Sequence, residues 1–231
     1  MIPLRDTLRS RHFPIMTWLI LLLNLGVFLF ETSLSQQELI AFSQRYGLVP
    51  GLLQSDPSRF TLSIFTSMFV HAGWFHLISN MWTLFIFADN VEDRMGSIPF
   101  LIFYLVTGIA AALLQAVLFP ESIIPVIGAS GAIAGVLGAY ILLFPSARVV
   151  TLVPLLIFFT VIQVPAVLYL GFWFLSQLFS GLVSVGSVGG GVAWWAHIGG
   201  FLVGLIVSPY FRLRKQPTVE VIPVDPPQYR Y

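Results

Sequence analysis

Long apolar segments constrain the fold of this chain more than any other feature. Crossing a hydrocarbon core of about 30 Å takes about 20 mostly apolar residues in a helix. Five segments reach or approach that length, and a sixth, Trp74–Ala88, is apolar apart from His76 and Asn80. The five segments are Phe13–Phe30, Ile98–Phe119, Gly128–Phe144, Val164–Val183 and Val192–Phe211. The sequence therefore predicts an all-α membrane protein with six transmembrane helices.

Composition excludes the soluble classes of protein. Of the 231 residues, 57% are hydrophobic and 9% are charged, whereas a soluble domain carries about 25% charged residues. The net charge of +1 indicates no nucleic-acid or other polyanionic partner. The chain has no cysteine, so disulfides and thiolate metal sites are excluded. We expect a protein embedded in the lipid bilayer, with no cofactor and no metal.

The basic residues predict the orientation of the helices. With six spans, nine of the 11 basic residues lie on one side of the membrane: Arg5, Arg9, Arg11, Arg94, Arg148, Arg212, Arg214, Lys215 and Arg230. Positive residues are retained on the cytoplasmic side, so both termini are predicted to be cytoplasmic, in a cell membrane. A seventh span over Val149–Gln163 would place the basic tail outside. This segment, which contains Pro154, is therefore predicted to be a connection at or dipping into the cytoplasmic interface.

The remaining segments complete the predicted organisation. Residues 1–12 form a cytoplasmic segment, residues 13–211 the six-span domain, and residues 212–231 a proline-rich, disordered cytoplasmic tail. The outer loop 31–73 contains helix-start and turn signals at 35–38 and 56–58. Acidic Glu31 follows the first apolar segment instead of a small-residue cleavage site, which argues against a cleavable signal.

Polar side chains inside apolar segments are functional candidates, since they are costly in lipid. Ser130 and His197 each precede the end of their segment by 14 residues, or about 21 Å of helix. His76 precedes Asp89 by 13 residues, or about 20 Å, and Asn80 lies one turn deeper on the same face. All three segments run inward in the six-span topology. We therefore predict a site at one depth, about 10 Å below the outer edge of the core.

Small residues indicate how the fourth and sixth spans could meet. Helices in lipid pack closely where glycine and alanine let the backbones approach. Ala134 and Gly138 lie near the Ser130 face, and Gly200 and Gly204 follow His197 at three and seven residues. This pattern predicts that the two polar side chains share a helix interface.

A serine next to a histidine points to nucleophilic catalysis. The hydroxyl becomes nucleophilic when a base removes its proton, and we predict that His197 is this base. No carboxylate lies at the same depth, so the pair is a dyad and not a triad. His76 and Asn80 could donate N–H groups to the oxyanion that forms on attack at a peptide carbonyl, together with the Ser130 backbone N–H.

These residues resemble those of a known family. Gly128-Ala129-Ser130-Gly131, Ala196-His197-Ile198-Gly199-Gly200 followed by Gly204, and the series His71, His76, Asn80 closely resemble the motifs of the rhomboid intramembrane serine proteases. The resemblance extends over the six-span body, from about Phe13 to Phe211.

The resemblance implies a six-helix bundle whose water-filled cavity opens to the outer face. It also implies that the substrates are single-span membrane proteins, cut in or next to the span. Ser130 resembles the nucleophile, His197 the base, and His76 and Asn80 the oxyanion donors. Accessory or structural positions are expected at His71, Gly128, Gly131, Gly200, Gly204 and Glu92, the last of these as a structural acid.

The sequence departs from the family pattern at two places. Leu62-Ser63 replaces a Trp-Arg pair that often precedes the first histidine, and Ala134 replaces an aromatic residue that often stacks on the base. Something else must therefore hold the His197 ring. We predict ordinary interhelical hydrogen bonds for Asn24, Gln115 and Gln177.

Two alternatives stay open at this point. A polar cluster at one depth is also found in transporters and proton relays, although carboxylates are absent from these spans and no internal repeat is evident. A catalytically silent relative could bind membrane helices without cutting them. Such relatives typically lack the serine or the histidine, and both residues are present in this chain.

Overall fold

Helices dominate the fold. The computed structural model describes residues 1–155, 158–184, 192–212 and 220–221. The helices are α1 (Ile15–Glu31), α2 (Gln36–Tyr46), α3 (Leu52–Ser55), α4 (Pro57–Thr66), α5 (Trp74–Met95), α6 (Ser97–Leu118), α7 (Ser130–Leu143), α8 (Ala166–Ser184) and α9 (Trp194–Arg212). The strands are β1 (Ile2–Asp6), β2 (Leu8–Arg9), β3 (Arg148–Leu155), β4 (Phe158–Pro165) and β5 (Glu220–Val221).

Each of the six predicted spans corresponds to a helix: α1, α5, α6, α7, α8 and α9. Within the described residues, α6, α8 and α9 are long and apolar enough to cross a membrane on their own. The segment Pro57–Phe69 and α5 meet the same criterion as a pair bent by 78°. Helices α1 and α7 are apolar but shorter, at 17 and 14 residues. The chain is a membrane protein whose described residues contain three or four candidate spans by length and composition, and the count of six stays a prediction.

Helix α7 lies at the centre of the bundle. Residues 131–140 are all buried, as expected for a helix that is apolar on every side. It packs against α5, α6 and α9, with a smaller contact to α8. Because its neighbours enclose it, the 14 residues of α7 hold Ser130 in a fixed place among three other helices.

The connection between α7 and α8 is a β-hairpin. Strands β3 and β4 pair antiparallel from Arg148 opposite Pro165 to Leu155 opposite Phe158. Strand β1 pairs antiparallel with β3, which gives the sheet order β1-β3-β4. The prediction of an all-α protein is therefore wrong here, although the fold is mostly helical. Valine, isoleucine and threonine are frequent in 148–165, and β-branched residues fit a pleated sheet better than a helix.

The predicted amino-terminal segment 1–12 is structured and is anchored by Asp6. The Asp6 carboxylate accepts hydrogen bonds from the Tyr140 hydroxyl and from Asn90 Nδ2, the latter at 2.9 Å. Burial raises the pKa of Asp6 to about 7, and the nearby Asp89 charge adds to this effect. Strand β1 is thereby tied to α5 and α7 at the end of the bundle opposite Ser130.

The loop 31–73 contains α2, α3 and α4. Ser35 and Glu38 form a capping box at the start of α2, and the Asp56 side chain accepts a hydrogen bond from Arg59 N at the start of α4. Both helix starts agree with the sequence signals. In the predicted disordered tail, Glu220–Val221 pairs with Leu8–Arg9, while 213–219 and 222–231 lie outside the described residues.

Candidate active site

The amino-terminal ends of α5, α7 and α9 converge on one site. Ser130 is the first residue of α7, and His197 lies in the first turn of α9. His197 Nε2 lies 2.7 Å from Ser130 Oγ, a distance within the normal range for a hydrogen bond. The structure thus brings together the two side chains that the sequence predicts to be adjacent.

Glycine makes this approach possible. A Cβ atom placed on Gly200 would lie 1.9 Å from the carbonyl oxygen of Gly131, and one placed on Gly204 would lie 2.0 Å from that of Gly135. Real Cβ atoms essentially never come closer than 3.0 Å to such an atom. The α7–α9 interface therefore excludes side chains at these positions, as expected for small-residue packing in lipid.

Three side chains surround the far side of the His197 ring. His197 Nδ1 lies 2.8 Å from Oε1 of Gln177 on α8. The Trp173 ring lies 6.0 Å from the imidazole at an interplanar angle of 32°, and the Trp194 ring meets it edge-on at 6.1 Å. These contacts hold the ring where Ala134 provides no aromatic surface.

The Gln177 contact agrees with the interhelical hydrogen bond that the sequence predicts, but the sequence did not identify His197 as its partner. The sequence signal for Gln177 was a polar residue within an apolar segment. The orientation of the Gln177 side chain depends on how α8 packs against α9, and the spacing of apolar residues does not predict that packing.

His76 and Asn80 face the backbone just before Ser130. Gly128 has a φ of +112°, in the region that favours glycine. A Cβ atom there would lie 2.5 Å from His76 Nε2 and 3.5 Å from Asn80 Nδ2. Ala72 N donates a hydrogen bond to His76 Nδ1 at 3.3 Å, so in the neutral ring Nε2 carries the hydrogen. Two N–H donors thus lie next to the Gly128 backbone, two residues before Ser130.

His71 is buried behind Asn80 and does not reach Ser130. Asn80 Nδ2 donates to His71 Nε2 at 3.1 Å, and His71 Nδ1 donates to the Phe69 carbonyl at 3.2 Å. The Glu31 carboxylate accepts hydrogen bonds from the His71 backbone N–H at 3.2 and 3.3 Å. His71 therefore orients the Asn80 amide and leaves the second Nδ2 hydrogen available to a ligand.

Glu92 lies far from this site, near the end of α5. Its carboxylate accepts hydrogen bonds from Met16 N, Thr17 N, Thr17 Oγ1 and Ser97 Oγ, at 2.6–2.9 Å. It therefore joins the start of α1 to α5 and α6, which is a structural arrangement.

The site contains the groups that nucleophilic acyl transfer requires. A serine hydroxyl at a helix start, an imidazole within hydrogen-bond distance and neighbouring N–H donors lie together, here inside a bundle of apolar helices. The chain belongs to the rhomboid family, since residues 59–214 match the model of the Rhomboid domain. This family comprises intramembrane serine proteases and inactive relatives.

Individual relatives agree with this assignment. The chain is 31% identical over 157 residues to RHOMBOID-like protein 6, mitochondrial, of Arabidopsis thaliana, covering 67% of this chain and 44% of that protein. It is 32% identical over 176 residues to Rhomboid protein 1, mitochondrial, of Saccharomyces cerevisiae, covering 73% and 46%. A Bacillus subtilis protein named as a candidate rhomboid protease, YdcA, is 37% identical over 78 residues, covering 34% and 39%. The chain spans less than half the length of these relatives.

Proposed function

We propose that this chain is an intramembrane serine endopeptidase that hydrolyses peptide bonds in or next to the transmembrane helices of single-span membrane proteins. The observation that carries the proposal is the 2.7 Å contact between His197 Nε2 and Ser130 Oγ. Membership of the rhomboid family supports the reaction class.

In the first step, Ser130 Oγ attacks the scissile carbonyl carbon while its proton moves to His197 Nε2. The tetrahedral intermediate collapses, the C–N bond breaks, and His197 returns the proton to the leaving amine. An acyl-enzyme on Ser130 remains. Water then attacks the ester carbonyl with His197 as base, which releases the acid product and restores the serine.

The negative charge on the carbonyl oxygen is stabilised by N–H donors. His76 Nε2 and Asn80 Nδ2 lie on one side of the Gly128 backbone, and the first backbone N–H groups of α7 have no acceptor within their own helix. Donors fixed before the reaction need no reorganisation as the charge develops. The positive end of the α7 dipole adds to this stabilisation.

The orientation is also a proposal. We propose a multi-pass protein of the cell membrane with both termini in the cytoplasm and the Ser130 site opening to the outer face. The excess of basic residues on one side supports this orientation. Two of the relatives are named as mitochondrial, so family membership alone does not assign the compartment.

The absence of native cysteine makes the orientation testable. Single-cysteine variants at Ser122, near the Ser130 end, and at Thr160 on the hairpin would be treated with a membrane-impermeant maleimide in intact cells. We expect labelling at Ser122 and none at Thr160 until the membrane is permeabilised. The reverse pattern would contradict the proposed orientation.

The activity is tested by labelling the detergent-solubilised protein with a fluorophosphonate probe. We expect a covalent adduct on Ser130, located by peptide mass spectrometry, and no adduct in Ser130→Ala or His197→Ala. Equal labelling of wild type and His197→Ala would exclude His197 as the base. Absence of an adduct on folded wild-type protein would overturn the proposed function.

A further inference from the structure

The His197 imidazole has two ring nitrogens, and the proposed reaction uses only one of them. Nε2 faces Ser130 Oγ at 2.7 Å, and Nδ1 faces Gln177 Oε1 at 2.8 Å. Because a neutral imidazole carries one hydrogen, the group bound to Nδ1 decides whether Nε2 can accept the serine proton.

The amide of Gln177 is fixed by its own hydrogen bonds. Gln177 Nε2 donates to the Trp173 carbonyl at 3.3 Å and to Ser176 Oγ at 2.9 Å. Ser176 Oγ in turn donates to the Trp173 carbonyl at 2.6 Å. A backbone carbonyl only accepts hydrogen bonds, so the amide nitrogen must face Trp173 and the amide oxygen must face the imidazole.

From this network we infer that Gln177 is a positioning residue of the dyad, which holds the hydrogen of His197 on Nδ1 and leaves Nε2 free to deprotonate Ser130. Gln177 touches neither the serine nor the scissile bond, and it acts through the imidazole. It takes the place that an acidic residue holds in a serine–histidine–aspartate triad, but without a charge. The inference rests on the proposed function, in which His197 is the base.

The location of Gln177 supports this role. Gln177 as a residue is 6% exposed, and a buried amide oxygen without a donor would be costly. The Nδ1–H group is the hydrogen bond donor that the structure provides for it. Trp173, one turn earlier on α8, lies beside the same imidazole, so α8 supplies both the acceptor and the flanking ring.

The test compares glutamine variants at two positions. Gln177→Leu removes the acceptor with little change in volume. Gln115→Leu is the matched control, because Gln115 Oε1 accepts its hydrogen bond from Ala196 N at 3.2 Å, whereas the imidazole nitrogens bond to Gln177 and Ser130. We expect Gln177→Leu to lower the rate of fluorophosphonate labelling about tenfold, the effect of one hydrogen bond on a rate. The folded Gln115→Leu variant should keep the wild-type rate.

Gln177→Glu provides a readout that a packing role would not change. A carboxylate beside Nδ1 favours the imidazolium form of His197, which cannot accept the serine proton. The acidic limb of the pH–rate profile should therefore move to higher pH by about one unit, with substantial activity retained above it. If Gln177→Leu does not fold, the pH–rate profile of Gln177→Glu still tests the inference.

Nitrogen NMR of histidine-labelled protein reports the tautomer directly. Wild type should show His197 with a protonated Nδ1 and a bare Nε2, and Gln177→Leu should show a mixture of tautomers. Wild-type labelling rates and an unchanged pH profile in the Gln177 variants would overturn the inference. In that case labelling of Ser130 in wild type would still support the dyad, so the two proposals fail separately.

Discussion

Replacing Gly200 by alanine tests the packing that brings serine and histidine together. The added Cβ would lie 1.9 Å from the Gly131 carbonyl oxygen, whereas real Cβ atoms keep at least 3.0 Å. Helices α7 and α9 must therefore separate by about 1 Å at this level, because a backbone carbonyl cannot rotate away within a helix. His197 is less than one turn from Gly200 and Ser130 is adjacent to Gly131, so the separation acts on the dyad itself.

The size of the effect follows from the hydrogen bond. A distance of 2.7 Å increased by about 1 Å exceeds the range of a useful hydrogen bond. A misplacement of about 1 Å in a catalytic group can cost about 10²-fold in rate. We expect Gly200→Ala to label with fluorophosphonate about 10²-fold more slowly than wild type, and overpacking to lower the free energy of unfolding by about 1–3 kcal/mol.

Gly26→Ala is the matched control, because no atom lies within 4 Å of a Cβ placed there. It should label at the wild-type rate. For both variants, fluorophosphonate labelling in detergent would be quenched at timed intervals to obtain the rate, and circular dichroism would establish that they are folded. A folded Gly200→Ala protein that labels as fast as Gly26→Ala would refute the argument.

Three further perturbations have defined outcomes. Asn80→Ala should lower the turnover number for a reporter substrate by about 10²-fold or more if Asn80 is an oxyanion donor; an unchanged turnover number would remove that assignment. Glu92→Ala leaves four hydrogen-bond donors without their acceptor and should lower the free energy of unfolding by about 3 kcal/mol or more, while folded protein keeps its labelling rate; thermal unfolding in detergent measures this. The pKa of Asp6 is about 7 when folded and 3.8 in the reference state, so the folded state binds the proton more tightly. The protonated Asp6 therefore contributes about 4 kcal/mol to the free energy of unfolding below pH 3.8, and this contribution is lost as pH rises to about 7. Asp6→Asn should abolish this part of the pH dependence of the free energy of unfolding. An identical pH dependence in wild type and Asp6→Asn would contradict the prediction.

The contact between Ser130 and His197 could be predicted because helix geometry is fixed. A constant rise of 1.5 Å per residue places Ser130, His197 and His76 at one depth once the direction of each span is assigned. The glycines near both residues then indicate which helices can touch. Residue spacing and glycine positions can both be read directly from the sequence, without knowledge of side-chain orientation.

The hydrogen-bond partners of the candidate catalytic residues were less predictable. The orientation of Gln177 toward His197 depends on the rotation of α8 against α9, and the role of His71 behind Asn80 depends on how the chain bends before α5. The hairpin over Arg148–Pro165 was missed for another reason. Its residues are as apolar as those of a helix, and a short apolar segment does not by itself distinguish a strand from a connection.

The most direct test of the central claim is the identification of cleaved bonds. Wild type and Ser130→Ala would be reconstituted into liposomes with a panel of single-span membrane proteins, and the new termini would be identified by mass spectrometry. We predict that wild type produces new termini within or beside the membrane spans, and that Ser130→Ala and His197→Ala produce none. The same cleavage sites at the same rate in Ser130→Ala would contradict the account.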